Sequence, residues 1–408
     1  MKNFSTTNKI NLLVCIIVSI TIFLGYGFNF AYSIASSGYH LFCNIMAKKT
    51  YAIEFFTAEI NERSSNSLSY HSQLINLNSF INKKLDINVI KKGTETLVKT
   101  DSDQLISIQE FVSDDDIDEV VNRINDVYLV SKKNNANFLF VGTPCKGYDF
   151  SLPQHITNYA PTNFDRFMNK LEIKKIPNIN LVQQMKSEGI YSEEIFFKTD
   201  HHWTPETGFY ANNTICLKLN DLYKFEFNPY YNDLNNYNKQ IYKDWFLGAY
   251  GKKVGLYFTD SGADDITLIT PKFSTNLTVE FPLKNKKTTG SFEETIIYKE
   301  HIETKDYFNL NPYAAYSGGD FRIQKILNNA NPSGKKFVII RDSYSCVVTP
   351  FLALNASELH LLDMRSFIPD KNINALEYIN NIKPDYVIVI LSGIYSIENS
   401  QCRYDFNN

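Results

Sequence analysis

The chain lacks the residue patterns that build metal sites, disulfide frameworks and nucleic-acid surfaces. Its six cysteines are widely spaced and none forms a CxxC pair, so zinc, thioredoxin-like and disulfide-rich interpretations find no support. The seven histidines include no helical HxxxH pair. With 41 Lys+Arg against 44 Asp+Glu, the net charge of −3 supplies no basic face for nucleic acid. We therefore predict no metal, no cofactor and no nucleic-acid partner.

The longest apolar run covers residues 10–28. About 19 residues in a helix rise roughly 28 Å, which is enough to cross a bilayer. Lys2 and Lys9 precede the run, which predicts a cytoplasmic N-terminus and an extracytoplasmic body. We therefore predict a single-pass membrane anchor within residues 1–35. A signal peptide cleaved near residues 33–35 is the alternative, and it exports the body as well.

The rest of the chain divides into a weakly patterned stretch and a large domain. Residues 36–100 are polar, which predicts a stalk or linker. In residues 101–408 apolar strands alternate with helical patterns, which is typical of an α/β domain with a parallel sheet. Strands are predicted at 105–112, 137–142, 336–340, 358–362 and 385–391, and helices at 113–133, 163–171, 181–188, 205–219, 347–354 and 373–382. Alternating segments between about 225 and 310 predict an antiparallel, β-rich insertion.

The segment Asp200-His201-His202 stands directly before a predicted helix start at Thr204-Pro205. In an extended backbone, residues two apart share a side, so Asp200 and His202 are expected to face one way and His201 the other. A carboxylate that holds an imidazole is the pairing used in general-base catalysis. Metal ligation and a purely structural histidine pair are alternatives that the spacing leaves open.

The segment Asp342-Ser343-Tyr344 follows a predicted buried strand. A serine at a strand-to-helix turn is exposed near the helix N-terminus, where a nucleophile is often placed. The alternative is that Asp342 and Ser343 only cap the helix. If the serine is a nucleophile, its Oγ should lie within hydrogen-bonding range of a His202 ring nitrogen, and Asp200 should meet the other ring nitrogen.

Five segments in chain order resemble the motifs of the DHHW protein family. They are KTDHHWTPET at 198–207, FLGAYGKKVG at 246–255, YAAYSGGD at 313–320, IRDSYSCVVTPFL at 340–352 and LDMR at 362–365. This family is similar to the SGNH-hydrolase-like acetyltransferases of bacterial polysaccharide modification, including the alginate O-acetyltransferases. The resemblance implies a circularly permuted SGNH-hydrolase-like parallel sheet with flanking helices. To it we add the β-rich insertion and the N-terminal transmembrane helix.

The resemblance also implies a function. Ser343 would be the nucleophile, His202 the general base and Asp200 the group that orients it. The implied reaction is O-acyl transfer, chiefly of acetyl, on a cell-surface or exported polysaccharide through an acyl-serine. Because acyl-CoA is cytosolic, a polytopic membrane acyltransferase is the implied acyl donor. The rivals are a carbohydrate esterase with the same three residues and a non-catalytic polysaccharide-assembly subunit with a relic triad.

One position departs from the family pattern, because Gly318-Gly319-Asp320 stands where the family usually has Gly-Gly-Asn. If that Asn binds an oxyanion, an ionised Asp320 would oppose the developing charge. The backbone N–H groups of Ser343 and Tyr344 are further candidate donors. The candidate substrate or oxyanion residues are therefore His201, Tyr344, Gly318, Gly319 and Asp320. We expect Asp320 to point away from the reacting oxygen or to pair with a cation such as Arg341.

Overall fold

The computed structural model describes residues 71–93, 95–365, 373–392 and 406. The chain divides into two units, Met1–Ile81 and Asn82–Asn408, and every strand named below belongs to the second. The predicted membrane anchor and the alternative cleavage site lie outside the described residues. Within the described ranges, no helix combines the length and the apolar character that crossing a bilayer requires.

The α-helices of the described residues are α1 His71–Lys84, α2 Asp114–Lys133, α3 Ala160–Ile173, α4 Leu181–Ser187, α5 Pro205–Tyr223, α6 Ala249–Val254, α7 Phe292–Ile296, α8 Thr349–Leu352 and α9 Ala375–Ile382. Short 3₁₀ helices occupy Glu193–Ile195, Pro229–Asn232, Leu234–Asn236, Pro282–Lys284, Lys299–His301, Pro312–Ala315, Ser343–Val347 and Ala353–Asn355. Ser113 begins α2 as predicted, because its side chain accepts from the N–H of Asp116 and three aspartates occupy the first turn.

The strands are β1 Val89–Lys92, β2 Glu95–Lys99, β3 Leu105–Ser107, β4 Asn137–Gly142, β5 Asn178–Asn180, β6 Tyr237–Phe246, β7 Asp264–Pro271, β8 Leu277–Phe281, β9 Lys286–Gly290, β10 Ile323–Asn328, β11 Lys336–Arg341, β12 Glu358–Asp363 and β13 Tyr386–Leu391. Eight of them form one sheet in the order β5-β4-β13-β11-β12-β10-β8-β9. The first five strands of this order are parallel to one another, and the last three join antiparallel.

Both faces of the parallel part are buried, which explains why its strands are continuous apolar runs. In β11, Phe337 and Ile339 pack on the face that also receives α5 and α8. Val338 and Ile340 alternate with them and pack on the opposite face, beneath α2, α3 and α9. Helices therefore pack on both faces of the parallel part of the sheet and hold the ends of its strands in place.

The prediction of a parallel sheet is confirmed for five strands, but at one edge the sheet is antiparallel. The segments β8 and β9, predicted within an insertion, extend the central sheet through β10, and only β6 and β7 form a separate two-stranded sheet. The helix predicted at 347–354 is broken into shorter turns, because Pro350 has no N–H to continue a helical ladder. In the stretch predicted as a linker, β1 pairs with β2, and β2 pairs in turn with β3, so the three strands form an antiparallel sheet.

Candidate active site

Four parallel strands end at the same edge of the sheet, where a cleft of about 230 Å³ opens. The residues that follow β4, β11, β12 and β13 line it, and they include Lys146, Ser343, Arg365 and Ser392. Open α/β sheets place ligand sites outside the carboxyl ends of their strands. The cleft lies at this type of position.

Ser343 is the first residue of the 3₁₀ helix that follows β11. Asp342 caps that helix, because its carboxylate accepts from the N–H of Tyr344 at 3.0 Å and from that of Ser392 at 2.7 Å. Burial raises the pKa of Asp342. Asp342 thus fills the predicted capping role, while the hydroxyl of Ser343 points into the cleft.

Asp200 and His202 lie on a tight loop that an isolated antiparallel bridge, Phe196 with Trp203, closes just before the start of α5. The side chain of Thr204 caps α5 by accepting from the N–H of Thr207, as the Thr-Pro-Glu pattern predicts. The bridge therefore closes the loop, and the cap fixes the start of the helix that follows it.

The structure brings the side chains of Asp200, His202 and Ser343 together. His202 Nδ1 lies 2.5 Å from Asp200 Oδ1, and His202 Nε2 lies 2.7 Å from Ser343 Oγ, although 141 residues separate His202 from Ser343. Burial alone would raise the pKa of Asp200, but His201, His202 and the hydrogen bond from the N–H of Ala249 together hold it well below its usual value. An ionised carboxylate only accepts, so the proton of His202 sits on Nδ1 and Nε2 is free to accept from Ser343.

Aromatic packing holds the imidazole of His202 in this orientation. The ring of Tyr313 stacks on it with centroids 4.2 Å apart and planes inclined by 19°. The hydroxyl of Tyr313 donates to the carbonyl of Ser343 at 3.2 Å, and the indole of Trp203 donates to the carbonyl of Tyr344 at 2.9 Å. These contacts tie the histidine loop to the serine turn.

The predicted direction of His201 is wrong. Its Nδ1 lies 3.4 Å from Asp200 Oδ1, and its ring lies 3.8 Å from that of His202. The backbone here turns instead of extending, so the two-residue alternation does not apply. His201 therefore lines the cleft, where burial and the neighbouring His202 lower its pKa.

Possible ligand atoms of Asp200, His201 and His202 lie within 4.8 Å of one another, a spacing compact enough for a metal ion. However, both ring nitrogens of His202 are already within 2.7 Å of Asp200 or Ser343. A metal bound by His202 would have to displace one of these partners, so the donor set fits the serine arrangement better.

Asp320 is paired with two arginines, as the sequence-based expectation of a cation partner requires. Its carboxylate lies 3.1 Å from Arg341 Nη1 and 2.8 Å from Arg365 Nη2. Burial alone would raise the pKa of Asp320, but these guanidinium groups lower it. Arg365 also binds the buried carboxylate of Asp363, and its Nη1 lies 3.5 Å from Ser343 Oγ. Two carboxylates thus hold a guanidinium beside the serine.

The remaining candidates differ in position. Tyr344 and Gly319 line the cleft with His201 and Asp320. The N–H of Tyr344 donates to Asp342, so it is not free to bind a reacting oxygen. Gly318 and Gly319 have φ angles of 73° and 95°, a turn conformation that glycine adopts readily. A Cβ on Gly318 would lie 3.2 Å from the ring of Tyr298, so this glycine serves packing.

Sequence reasoning missed Lys146 and Asp264, which lie against the loop that carries Asp200. Lys146 follows β4 in the Thr-Pro-Cys-Lys-Gly turn, and Asp264 begins β7. The only sequence signal is that Lys146 follows a buried strand at the edge where other site residues were expected.

The sheet and the cleft define an SGNH-like α/β fold with a mixed central sheet. Residues 121–226 match the family model described as the SGNH hydrolase-like domain of the acetyltransferase AlgX. The matched segment contains Asp200 and His202, whereas Ser343 lies beyond it.

Solved structures show the same fold. Bacillus cereus PatB1 has a TM-score of 0.62 at 20% identity, over 76% of this chain and 100% of that one. A second PatB1 structure, with a sulfonyl adduct, gives 0.61 at 21%, over 77% and 99%. A DHHW family protein from Eubacterium siraeum gives 0.57 at 18%, over 78% and 96%. The resemblance to the DHHW and SGNH-like acetyltransferase proteins is confirmed. No curated protein matches the chain.

Proposed function

We propose that this chain transfers an O-acyl group, most simply acetyl, onto or from a polysaccharide hydroxyl through an ester on Ser343. The observation that carries the proposal is the continuous hydrogen-bonded line from Asp200 through His202 to Ser343, with distances of 2.5 and 2.7 Å. The match to an acetyltransferase family model favours acetyl as the group that is moved.

The chemistry proceeds in two balanced steps. His202 Nε2 takes the proton of Ser343 Oγ while the oxygen attacks the acyl carbonyl, and the bond between the carbonyl carbon and the donor oxygen then breaks. The donor oxygen leaves with the proton from His202, and the acyl group remains on Ser343. An acceptor hydroxyl gives its proton to His202, attacks the ester and releases Ser343 with its proton restored. Asp200 holds the imidazole in the required tautomer throughout.

In this proposal, two groups stabilise the negative oxygen of each tetrahedral intermediate. The N–H of Ser343 belongs to the first residue of a helix, which has no intrahelical acceptor. The guanidinium of Arg365 lies 3.5 Å from Ser343 Oγ. A donor that contacts this oxygen directly is typically worth roughly 2.7–4 kcal/mol in the transition state. Asp320 points its carboxylate at two arginines and so adds little repulsion.

The proposal also covers the cellular location of the reaction, its acyl donor and its acceptor. The apolar residues 10–28, with basic residues before them, support a single-pass anchor and an extracytoplasmic body. An extracytoplasmic enzyme has no access to cytosolic acyl-CoA, so we propose a polytopic membrane acyltransferase as donor and a cell-surface or exported polysaccharide as acceptor.

The test is covalent labelling of Ser343 in the full chain, purified in detergent. Incubation with a fluorophosphonate, or with an aryl acetate, should modify the peptide that contains Ser343, as detected by mass spectrometry. Ser343→Ala should abolish this labelling, whereas Ser345→Ala, two residues away, should retain it. An absence of labelling in the wild-type chain would instead favour a non-catalytic subunit.

A glycan acceptor separates the transferase from the esterase. The acetylated chain is mixed with an exported polysaccharide, and the acetyl group is followed by mass spectrometry. Acetyl on the glycan supports transfer, while release of free acetate regardless of the glycan supports the esterase.

A further inference from the structure

The loop that carries Asp200 and His202 satisfies much of its polar backbone with buried charged side chains. The N–H groups of Lys198 and Thr199 donate to the carboxylate of Asp264 at 2.6 and 2.8 Å. The hydroxyl of Thr199 donates to the same carboxylate at 2.5 Å. One side of the loop is therefore held by an acidic group at the start of β7.

The other side of this loop is held by Lys146, which is 7% exposed. Its ammonium donates to the carbonyls of Phe197, Lys198 and Asp200 at 2.5, 2.8 and 2.8 Å. An ammonium has three N–H donors and no acceptor, so three carbonyl oxygens use its full capacity. The acceptors lie 51 to 54 residues further along the chain, so Lys146 joins the end of β4 to the loop.

We propose that Lys146 is a positioning residue, whose ammonium holds the backbone of Asp200 so that His202 meets Ser343. This inference rests on the proposed function, because its role is to set the reactivity of Ser343. Lys146 itself lines the cleft but needs no contact with the acyl group. It acts through the carbonyl of Asp200, which belongs to the same residue as the carboxylate that orients His202.

The ammonium of Lys146 and the three backbone carbonyls that it binds form a clamp on the loop. Titration of this amine makes the strength of the clamp depend on pH. Burial lowers the pKa of Lys146 to about 7, with Asp264, Asp200 and Glu193 opposing the effect. His201 and the ring of Tyr250 also face it. The neutral amine has two N–H groups for three carbonyls, so the clamp weakens as the pH rises above about 7.

The free energy of unfolding should rise with pH, whereas the clamp weakens. The folded-state pKa of Lys146 lies below its usual value of 10.5, so the unfolded chain binds more protons between about pH 7 and that value. The contribution of Lys146 to the free energy of unfolding therefore rises with pH over this interval. A residue that only supports the fold would not combine rising stability with falling Ser343 reactivity.

The experiment compares Lys146→Met with Lys252→Met in the full chain. Lys252 is a suitable control, because it is also partly buried and its ammonium donates to one backbone carbonyl, that of Leu310, at 2.7 Å. The second-order rate of Ser343 labelling by a fluorophosphonate is measured from about pH 6 to about pH 9, alongside the midpoint of thermal unfolding. For an aryl acetate, kcat and KM are measured separately.

Lys146→Met should lose at least about tenfold in labelling rate and in kcat, with KM little changed, because misplacement by 1 Å typically costs on the order of 10²-fold. It should also lose the alkaline decline that the wild-type chain shows. Lys252→Met should keep both the rate and the pH profile. The inference is overturned if the two variants lose reactivity in proportion to their stability, or if the wild-type profile has no alkaline decline.

A measurement that does not depend on enzymatic activity tests the same inference. Hydrogen exchange of the Lys198 and Thr199 amides, which bind Asp264, reports the loop directly. Faster exchange in Lys146→Met at unchanged global stability supports the clamp, and unchanged exchange contradicts it. If Lys146→Met does not fold, the wild-type protection factors of these two amides, which correct the exchange rates for base-catalysed intrinsic exchange, must fall above about pH 7, or the clamp is refuted. Wild-type Ser343 that does not label at all refutes the proposed function, whereas the exchange measurement still decides on the clamp.

Discussion

Gly248 offers a sharp test of how closely the carboxylate of Asp200 must be placed. This residue precedes α6 with φ −71° and ψ 179°, which any residue adopts, so its lack of a side chain is required for steric reasons. A Cβ at this position would lie 2.2 Å from Asp200 Cβ and 2.6 Å from Asp200 Oδ2. Carbon atoms pack at about 3.5–4.0 Å, so Gly248→Ala must separate the two loops by more than about 1 Å.

Two magnitudes set a lower and an upper bound on the expected loss in the rate of Ser343 labelling. Displacement by about 1 Å costs on the order of 10²-fold in rate. Loss of a triad carboxylate altogether costs about 10⁴-fold. The hydrogen bond from the N–H of Ala249 to Asp200, now 2.6 Å long, would also lengthen. We therefore expect Gly248→Ala to slow the labelling of Ser343 by a factor between about 10² and about 10⁴.

Gly334→Ala is the matched control. Its Cβ would lie 2.4 Å from Asn331 Nδ2 and 2.9 Å from the backbone N of Ser357, in the turn before β11 and at the opposite end of that strand from Ser343. Both variants should unfold at lower temperature, but only Gly248→Ala should slow the labelling. A wild-type rate in Gly248→Ala would refute the idea that reactivity depends on the position of Asp200.

Three further substitutions test the groups around the serine. His202→Ala should lower turnover by about 10⁴-fold or more, while His201→Ala should cost less than about tenfold, and equal losses or recovery with added zinc would favour a metal site. Asp320→Asn should change the rate of acyl-enzyme formation less than about threefold, because the carboxylate faces Arg341 and Arg365, and a tenfold gain would show that it opposes the oxyanion. The same variant should lower the free energy of unfolding by about 2 kcal/mol near pH 7. Since the folded-state pKa of Asp320 is lowered, that stabilisation is complete above its usual value of 3.8 and is lost as the pH falls further, so wild type and variant should converge in acid.

The sequence predicted that Asp200, His202 and Ser343 come together, because each of the two segments that carry them has a local signal. Thr204 and Pro205 mark a helix start after His202, and an apolar strand ends at Ser343. The side chain of His201 was misplaced, because alternation holds only in extended backbone and this loop turns. Lys146 was missed, since a lysine after a strand is ordinarily exposed, and only the folded loop shows that three carbonyls converge on it.

The sequence also did not show which strands lie next to one another in the sheet. The alternating pattern of β8 correctly predicts a strand, but alternation does not say which strand lies beside it. In the structure β8 pairs with β10, which is antiparallel to β12, so β8 and β9 of the predicted insertion belong to the main sheet, while β6 and β7 remain separate. The parallel strands were predicted more fully, because burial on both faces requires the continuous apolar runs that β4, β11 and β13 show.

The separation of 141 positions between His202 and Ser343 has a consequence for how the protein matures. Contacts between distant parts of a chain close large loops and on average form late in folding. A chain synthesised only as far as β10 contains the carboxylate and the imidazole, but the hydroxyl on which they act has not yet been made. The reactive serine therefore arises only when most of the polypeptide has been synthesised and the central sheet has closed around β11.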